Sequence, residues 1–439
     1  MLKRLLVVAM AAKALPLPAS AGPAADLLRD GLYSGALDAA GAALKPLADA
    51  GDQEARFSLG LVTFVSAIET VSQAFYRHGV AAPDGGPMAA GILGAPIPMP
   101  PVPANPNPTP IDYAKFRAEL ETFVARLDDA ANVLQEAGES GDYVVPVEVL
   151  KIRIDVNGDG IAEEQESIGT VVAGVLGVRP AELTGSAPVP PPSGGRAQSG
   201  TSHTPPVEEV PNSEIGFDRA DAIWLAGYSN VIAAQADFLL AHDFSDLFNA
   251  TFHRVFPLAG LPMQEFSRGG SLALDPETDS AIADAIALIH TLNWPVIDRE
   301  RMLRVLERGK TVTALSRKNW DAILAETDDN RELLPNPNQT PFALDGKITD
   351  EMVAAWRSTL DTLDQILDGK LLIPHWRFKQ GIDLKTYFET AERTDFVMLL
   401  TGYGALPFLK DGPIADANSF ADANRVFGDN LLGFAVWFN

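Results

Sequence analysis

The most specific chemistry in this chain lies between positions 155 and 166. Asp155, Asn157, Asp159, Glu163 and Glu166 place side-chain oxygens at the first, third, fifth, ninth and twelfth places of the run DVNGDGIAEEQE, and Gly160 holds the sixth. That spacing is what one continuous piece of backbone needs to wrap a calcium ion, with a sharp turn at the glycine, where φ must go positive. The competing reading is an Asx-rich turn that binds no metal, since Asp, Asn and Gly also dominate ordinary turns.

These positions resemble the calcium loop of the EF-hand family and, equally, the dockerin type of loop. The resemblance covers about a dozen residues of the chain. It implies one side-chain oxygen each from Asp155, Asn157 and Asp159, the backbone carbonyl of Ile161, Glu163 directly or through a water, and both carboxylate oxygens of Glu166. So many carboxylates around one divalent ion favour Ca2+; Mg2+ wants a smaller octahedral shell and parts with water reluctantly. The eighth place departs from the family, being Ala162 where Ile, Val or Leu usually bridges two paired loops. No second loop of this spacing occurs, so a single unpaired site is expected, one that does not act as a sensor.

Bulk composition narrows the context. The chain has 439 residues, 34 basic and 58 acidic, for a net charge of −24. A field of that sign repels nucleic acid and anionic surfaces and attracts cations. There is no cysteine, which excludes disulfides, iron–sulfur clusters and thiolate zinc sites. Residues 1–21 read as an export signal: Lys3 and Arg4 begin it, a mostly apolar run follows, and Ala19-Ser20-Ala21 predicts cleavage after Ala21. A periplasmic or secreted protein is expected, with no later apolar run long enough to span a bilayer.

The elements that must position the loop read as helices, so the fold class is mainly α, a multi-helix protein with long Pro/Gly-rich inserts. A helical region over 22–180 contains the loop. Within it, residues 24–78 faintly resemble a Sel1- or TPR-type repeat, from Gly31, Tyr33, Leu44 and Leu47 to Leu59, although a generic antiparallel helix pair accounts for the same pattern. Residues 79–110 are Pro/Gly-rich yet carry Ile92, Leu93, Ile97 and Met99, an extended segment suited to covering its own domain or docking on a partner. Asp112 opens a helix marked by Phe116, Leu120, Phe123 and Leu127. Before the metal loop, Val147, Leu150 and Ile154 fit one helical face, so a short entering helix after Pro146 is expected, with an exiting helix on Ile168, Val171, Val172 and Val175.

Residues 181–214 form a linker or a disordered insert, poor in large apolar residues. A second helical region covers 215–439. Phe217 to about His242 is the most apolar helix and should be central. Asp275-Pro276 opens a segment with Ile282, Ile286 and Ile289; Arg299–Arg308 is expected to stop at Gly309, with a separate helix over Val312–Ala325. Thr349 caps a helix ended by Gly369, and two more helices lie near Phe396–Leu400 and Phe420–Phe438.

Other chemistry is sparse. His242, Asp243, Asp246 and His253 form the one histidine–carboxylate grouping, and a helix-end hydrogen bond accounts for His242 more simply than a metal does. Pro374-His375-Trp376-Arg377 reads as a packed turn or a polar binding corner. No nucleophile elbow, dinucleotide fingerprint or phosphate loop is present. The leading expectation is an exported protein with one structural calcium ion and no catalytic residues assigned. The alternatives are a periplasmic scaffold using helix-pair grooves and an unknown protein partner, or a carboxylate-dependent hydrolase.

Overall fold

The computed structural model describes residues 22–80, 102–170, 213–264, 276–341, 347–427 and 435. Residues 1–21, expected to be a leader, the apolar part of the Pro/Gly-rich insert, Val171–Val175 of the expected exiting helix, residues 181–212, Asp275, and 428–434 and 436–438 of the expected last helix fall outside the described residues.

The protein is mainly α, as its periodicities imply. Side-chain caps set where the long helices begin. Helix α1 is Pro23–Ser34, with proline in its first turn and Gly35 at φ +75° ending it. Helix α2 is Leu37–Asp49, and α3 is Gln53–Arg77, opened by Asp52 accepting from Ala55 N–H. Asp112 opens α4 (Tyr113–Ala137) in the same way, through Lys115 N–H. The N-terminal part is therefore three helices where a pair was the simpler expectation, because Gly35 and Gly51 each allow a sharp reversal at positive φ.

Helix α5 (Arg219–Leu240) lies against α4 on one side and α8 (Arg299–Ala325) on the other. Buried Asp237 accepts from Arg301 at 2.9 Å and from Arg308 at 2.8 Å, fixing the register of α5 on α8. Arg117 of α4 donates to the carbonyls of Leu240 and His242, closing the C-terminal end of α5 with a cation. Between α5 and α8 come α6 (Ser245–Thr251), α7 (Pro276–His290) and the short strand β3 (Asn293–Pro295). The ridge Ile282, Ile286 and Ile289 of α7 faces solvent. Gly309 does not stop a helix: α8 runs through it, and a Cβ there would lie 3.3 Å from Leu367, so the glycine admits α9 (Asp350–Leu367) at close range. Thr349 caps α9 as expected, accepting from Met352 N–H.

The region before the 155–166 loop differs from expectation as well. Val145–Glu148 is a strand, β1, paired antiparallel with β2 (Glu214–Phe217) in the register Val145↔Phe217 and Val147↔Ile215. These four residues are buried together, and the ladder they form outweighs the period-three-to-four reading of Val147, Leu150 and Ile154. A single 3-10 turn, Val149–Lys151, follows.

The C-terminal part continues with β4 (Ile373–Pro374), β5 (Gly381–Ile382), α10 (Leu384–Thr390), β6 (Arg393–Asp395), α11 (Phe396–Thr401), β7 (Leu409–Lys410) and α12 (Ala421–Phe427). One buried cluster extends from Leu28 and Phe57 through Val147 and Phe217 to Trp320, Trp356 and Phe427. A second is aromatic, with Phe116 in contact with Phe244, Phe248, Phe252 and Phe256. Among the described residues α3 is long and apolar enough to cross a membrane, which the sequence reading did not anticipate; most of that stretch is buried in the protein interior.

Candidate metal-binding loop and a buried carboxylate cluster

The stems of the 155–166 loop are tied before any ion is considered. Ile154 N–H donates to Glu166 O at 3.2 Å, Ile168 N–H donates to Ile152 O at 2.9 Å, and Arg153 bridges Ser167. Asp155 then shapes the turn. Its Oδ1 accepts from Gly158 N–H at 2.7 Å and its Oδ2 from Gly160 N–H at 2.8 Å, with the two glycines at φ +73° and +88°. Glu166, 1% exposed, closes the other end: Oε1 accepts from Val156 N–H and Oε2 from Glu163 N–H. Asn157, half-buried, and Asp159, exposed, are hydrogen-bonded to each other. Glu163 caps the 3-10 turn Glu164–Glu166, and Ile161 stands into solvent.

Two helices hold this loop. On α3, Glu69 Oε2 accepts from Asp155 N–H at 2.7 Å, and Gln73 Nε2 donates to Asp155 O at 2.8 Å, so the first loop residue is clamped on both sides of its backbone. Sequence reasoning missed this pair. The available signal was a Glu and a Gln four residues apart on the inner stretch of an otherwise apolar helix. Burial pushes Glu69 up to about 7 against the opposing hydrogen bond from Asp155 N–H, and the charges of Asp155, Asp38 and Glu166 add to the rise. On α1, Leu32 O accepts from Arg153 N–H at 2.8 Å. Ala162 lies against Gly35 so closely that a Cβ on that glycine would sit 2.1 Å from the Ala162 Cβ. The eighth loop residue is small because it docks on the end of α1.

The donor set suits a hard cation: all its atoms are oxygens, and the hydrogen bonds described leave lone pairs on Asp155 and Glu166. Among the described residues no Lys, Arg or His nitrogen lies within 4.0 Å of a carboxylate of Glu69, Asp155, Asp159, Glu163 or Glu166.

The tightest gathering of acids lies elsewhere. Oxygens of Asp218, Glu326 and Glu332 come within 4.8 Å of one another, which the loop carboxylates do not. Asp218 is the N-cap of α5, accepting from Ala220 and Asp221 N–H, and Asp221 returns the contact by accepting from Asp218 N–H. Glu326 is the C-cap residue of α8. Glu332 accepts from Asn330 N–H, and Gln339 donates to Glu326. Asp218 benefits from the positive end of its helix, while Glu326 meets the negative end of another. Burial is the main cause of the raised affinity for protons. It lifts Asp221 well above the usual carboxylate range, aided by Asp218 and Glu332; it raises Glu326 to about 10, aided by Asp218 and Glu332; and it raises Glu332 to about 8, aided by Asp218. Asp218 is raised too, and it shares a hydrogen bond with Glu326 that requires a proton between them. At neutral pH the group therefore stores protons.

The histidines do not assemble. His242 Nδ1 lies 2.6 Å from Phe238 O at a helix end, and its Nε2 lies 2.7 Å from Thr394 Oγ1. His253 faces Asp284 at 3.2 Å, and His375 faces Leu399 O. Comparison with protein-family models, with curated proteins and with solved structures finds no match for this chain.

Proposed function

We propose that this is an exported, calcium-binding helical protein in which Asp155, Asn157, Asp159, Ile161, Glu163 and Glu166 hold one Ca2+ in a structural role. The observation that carries the reading is the union of spacing and surroundings: a loop turned at Gly160 by its own first carboxylate, lined with oxygens, backed by Glu69, and with no cationic nitrogen within 4.0 Å of its carboxylates among the described residues. Calcium would neutralise that group of carboxylates and stiffen the junction of α1, α3 and the strand β1. Export fits the same reading, since extracellular calcium modules bind at roughly 10⁻⁴–10⁻³ M, a range useful where calcium is abundant.

The test is thermal unfolding of the protein lacking residues 1–21, in calcium and in EGTA. Calcium at about 100 times its dissociation constant should add about 2.7 kcal/mol and raise the midpoint. Glu166→Gln should remove most of that difference. An identical midpoint in both buffers, with no heat on titrating CaCl2, would end this reading.

A further inference from the structure

We propose that the surface formed by the β4–β5 turn and the residues around α11 is a docking site for the interface of an anionic lipid bilayer. The three most exposed large apolar side chains among the described residues all lie there: Trp376 at 72%, Tyr403 at 72% and Leu400 at 71%. They form one patch. Trp376 Nε1 donates to Leu400 O at 2.9 Å, and His375 packs on Phe378 with ring centres 5.0 Å apart. A Cβ on Gly402, next to Tyr403, would meet Arg377 and Phe378 at 3.1 Å.

Two cations unpaired among the described residues lie at the centre of the patch, while Asp368, Asp383, Asp395 and Asp411 border its segments. Segments 369–382 and 396–410 contain Lys370, Arg377, Lys379 and Lys410 and no Asp or Glu, in a protein of net charge −24. Lys370 and Lys410 are paired with Asp368 and Asp383. Arg377 and Lys379 have no carboxylate within 4.0 Å among the described residues, and Arg377 lies over the Trp376 ring, 4.7 Å from its centre. Trp and Tyr prefer the headgroup level of a bilayer, Leu the acyl boundary beneath it, and each nearby basic side chain is attracted to anionic headgroups. Charges more than about 8 Å away are screened at physiological salt, so distant acids on the molecule weaken the attraction of Arg377 and Lys379 little. The chain would lie on the membrane by this edge without spanning it.

The test is co-sedimentation of the protein lacking residues 1–21 with phosphatidylcholine vesicles, with and without phosphatidylglycerol, run both in EGTA and in calcium. Binding is expected with phosphatidylglycerol in both buffers, accompanied by a blue shift of tryptophan emission. That result is independent of the calcium reading. Trp376→Ala with Leu400→Ser should weaken partitioning by at least about tenfold. Arg377→Gln and Lys379→Gln should each weaken it by about fivefold, the factor equivalent to about 1 kcal/mol per basic side chain. All four positions are on the surface, so the melting midpoint of each variant should match the parent and exclude misfolding. The proposal is overturned if neither vesicle binds, if patch variants bind as the parent does, or if the patch instead drives concentration-dependent self-association that Trp376→Ala abolishes.

Discussion

The 155–166 loop and the Asp218–Glu326–Glu332 cluster are both collections of acids, yet they solve the problem of crowded negative charge in opposite ways. The loop spreads its carboxylates along one turn of backbone, satisfies them with N–H donors from Val156, Gly158, Gly160 and Glu163, and leaves an oxygen-lined surface. The cluster draws three acids from two helix ends and a connecting segment into near contact and holds protons among them. Spacing alone can specify the first arrangement, because consecutive residues carry it. Only the packing of α5 against α8 creates the second.

The contrast can be broken most sharply at Ala162. If the loop is held in place by its seat on Gly35, Ala162→Leu must push α1 and the loop apart. Overpacking of this kind costs about 2 kcal/mol. The substitution supplies the kind of apolar residue that paired calcium loops favour at this place, yet here it should lower the melting midpoint in EGTA and in calcium alike. A rise in the midpoint would mean that the contact with Gly35 does not constrain the loop.

Acidity separates the two regions next. In the cluster, folded-state proton affinities exceed those of the unfolded chain, so the unfolded state binds fewer protons near neutrality and above. The cluster's contribution to stability is therefore fullest below the ordinary carboxylate range, and it is lost as pH rises through about 8 for Glu332 and about 10 for Glu326. Each proton contributes a slope of at most about 1.4 kcal/mol per pH unit. Denaturation in EGTA between pH 6 and 9 should show stability falling, and Glu326→Gln with Glu332→Gln should flatten the curve. The stabilisation by calcium should run the other way and fade in acid, since its ligands must be ionised. Parallel pH profiles for parent and double variant would remove the proton store from the account.

How much was legible follows from the same distinction. Asp112 and Thr349 open the helices that periodicity places after them, because a cap is a local hydrogen bond. Phe217–His242 read as central, and α5 lies between α4 and α8. The stretch before the loop was misjudged because Val147, Leu150 and Ile154 fit a helical face while Val145 and Val147 alternate as a strand does; the partner that decides between them, Ile215 and Phe217, is about seventy residues away. Gly309 read as a stop because its use, admitting Leu367, belongs to another helix. Glu69 and Gln73 were invisible as parts of the loop for the same reason, lying on α3 more than eighty residues before Asp155.

The finest distinction within the loop concerns Gly160. Its φ of +88° lies in the region that L side chains avoid, but nothing stands within 4 Å of where a Cβ would project. A substitution there meets only torsional cost, unlike Ala162→Leu, which meets atoms. Gly160→Ala should destabilise the protein in EGTA by about 1 kcal/mol. Gly160→Asn should cost less, because Asn tolerates the left-handed region better than Ala does. Both variants keep every oxygen of the loop, so calcium should still raise the midpoint. If Asn and Ala cost the same, the turn is not set by the torsion at 160, and the hydrogen bond from Gly160 N–H to Asp155 would have to carry the geometry alone.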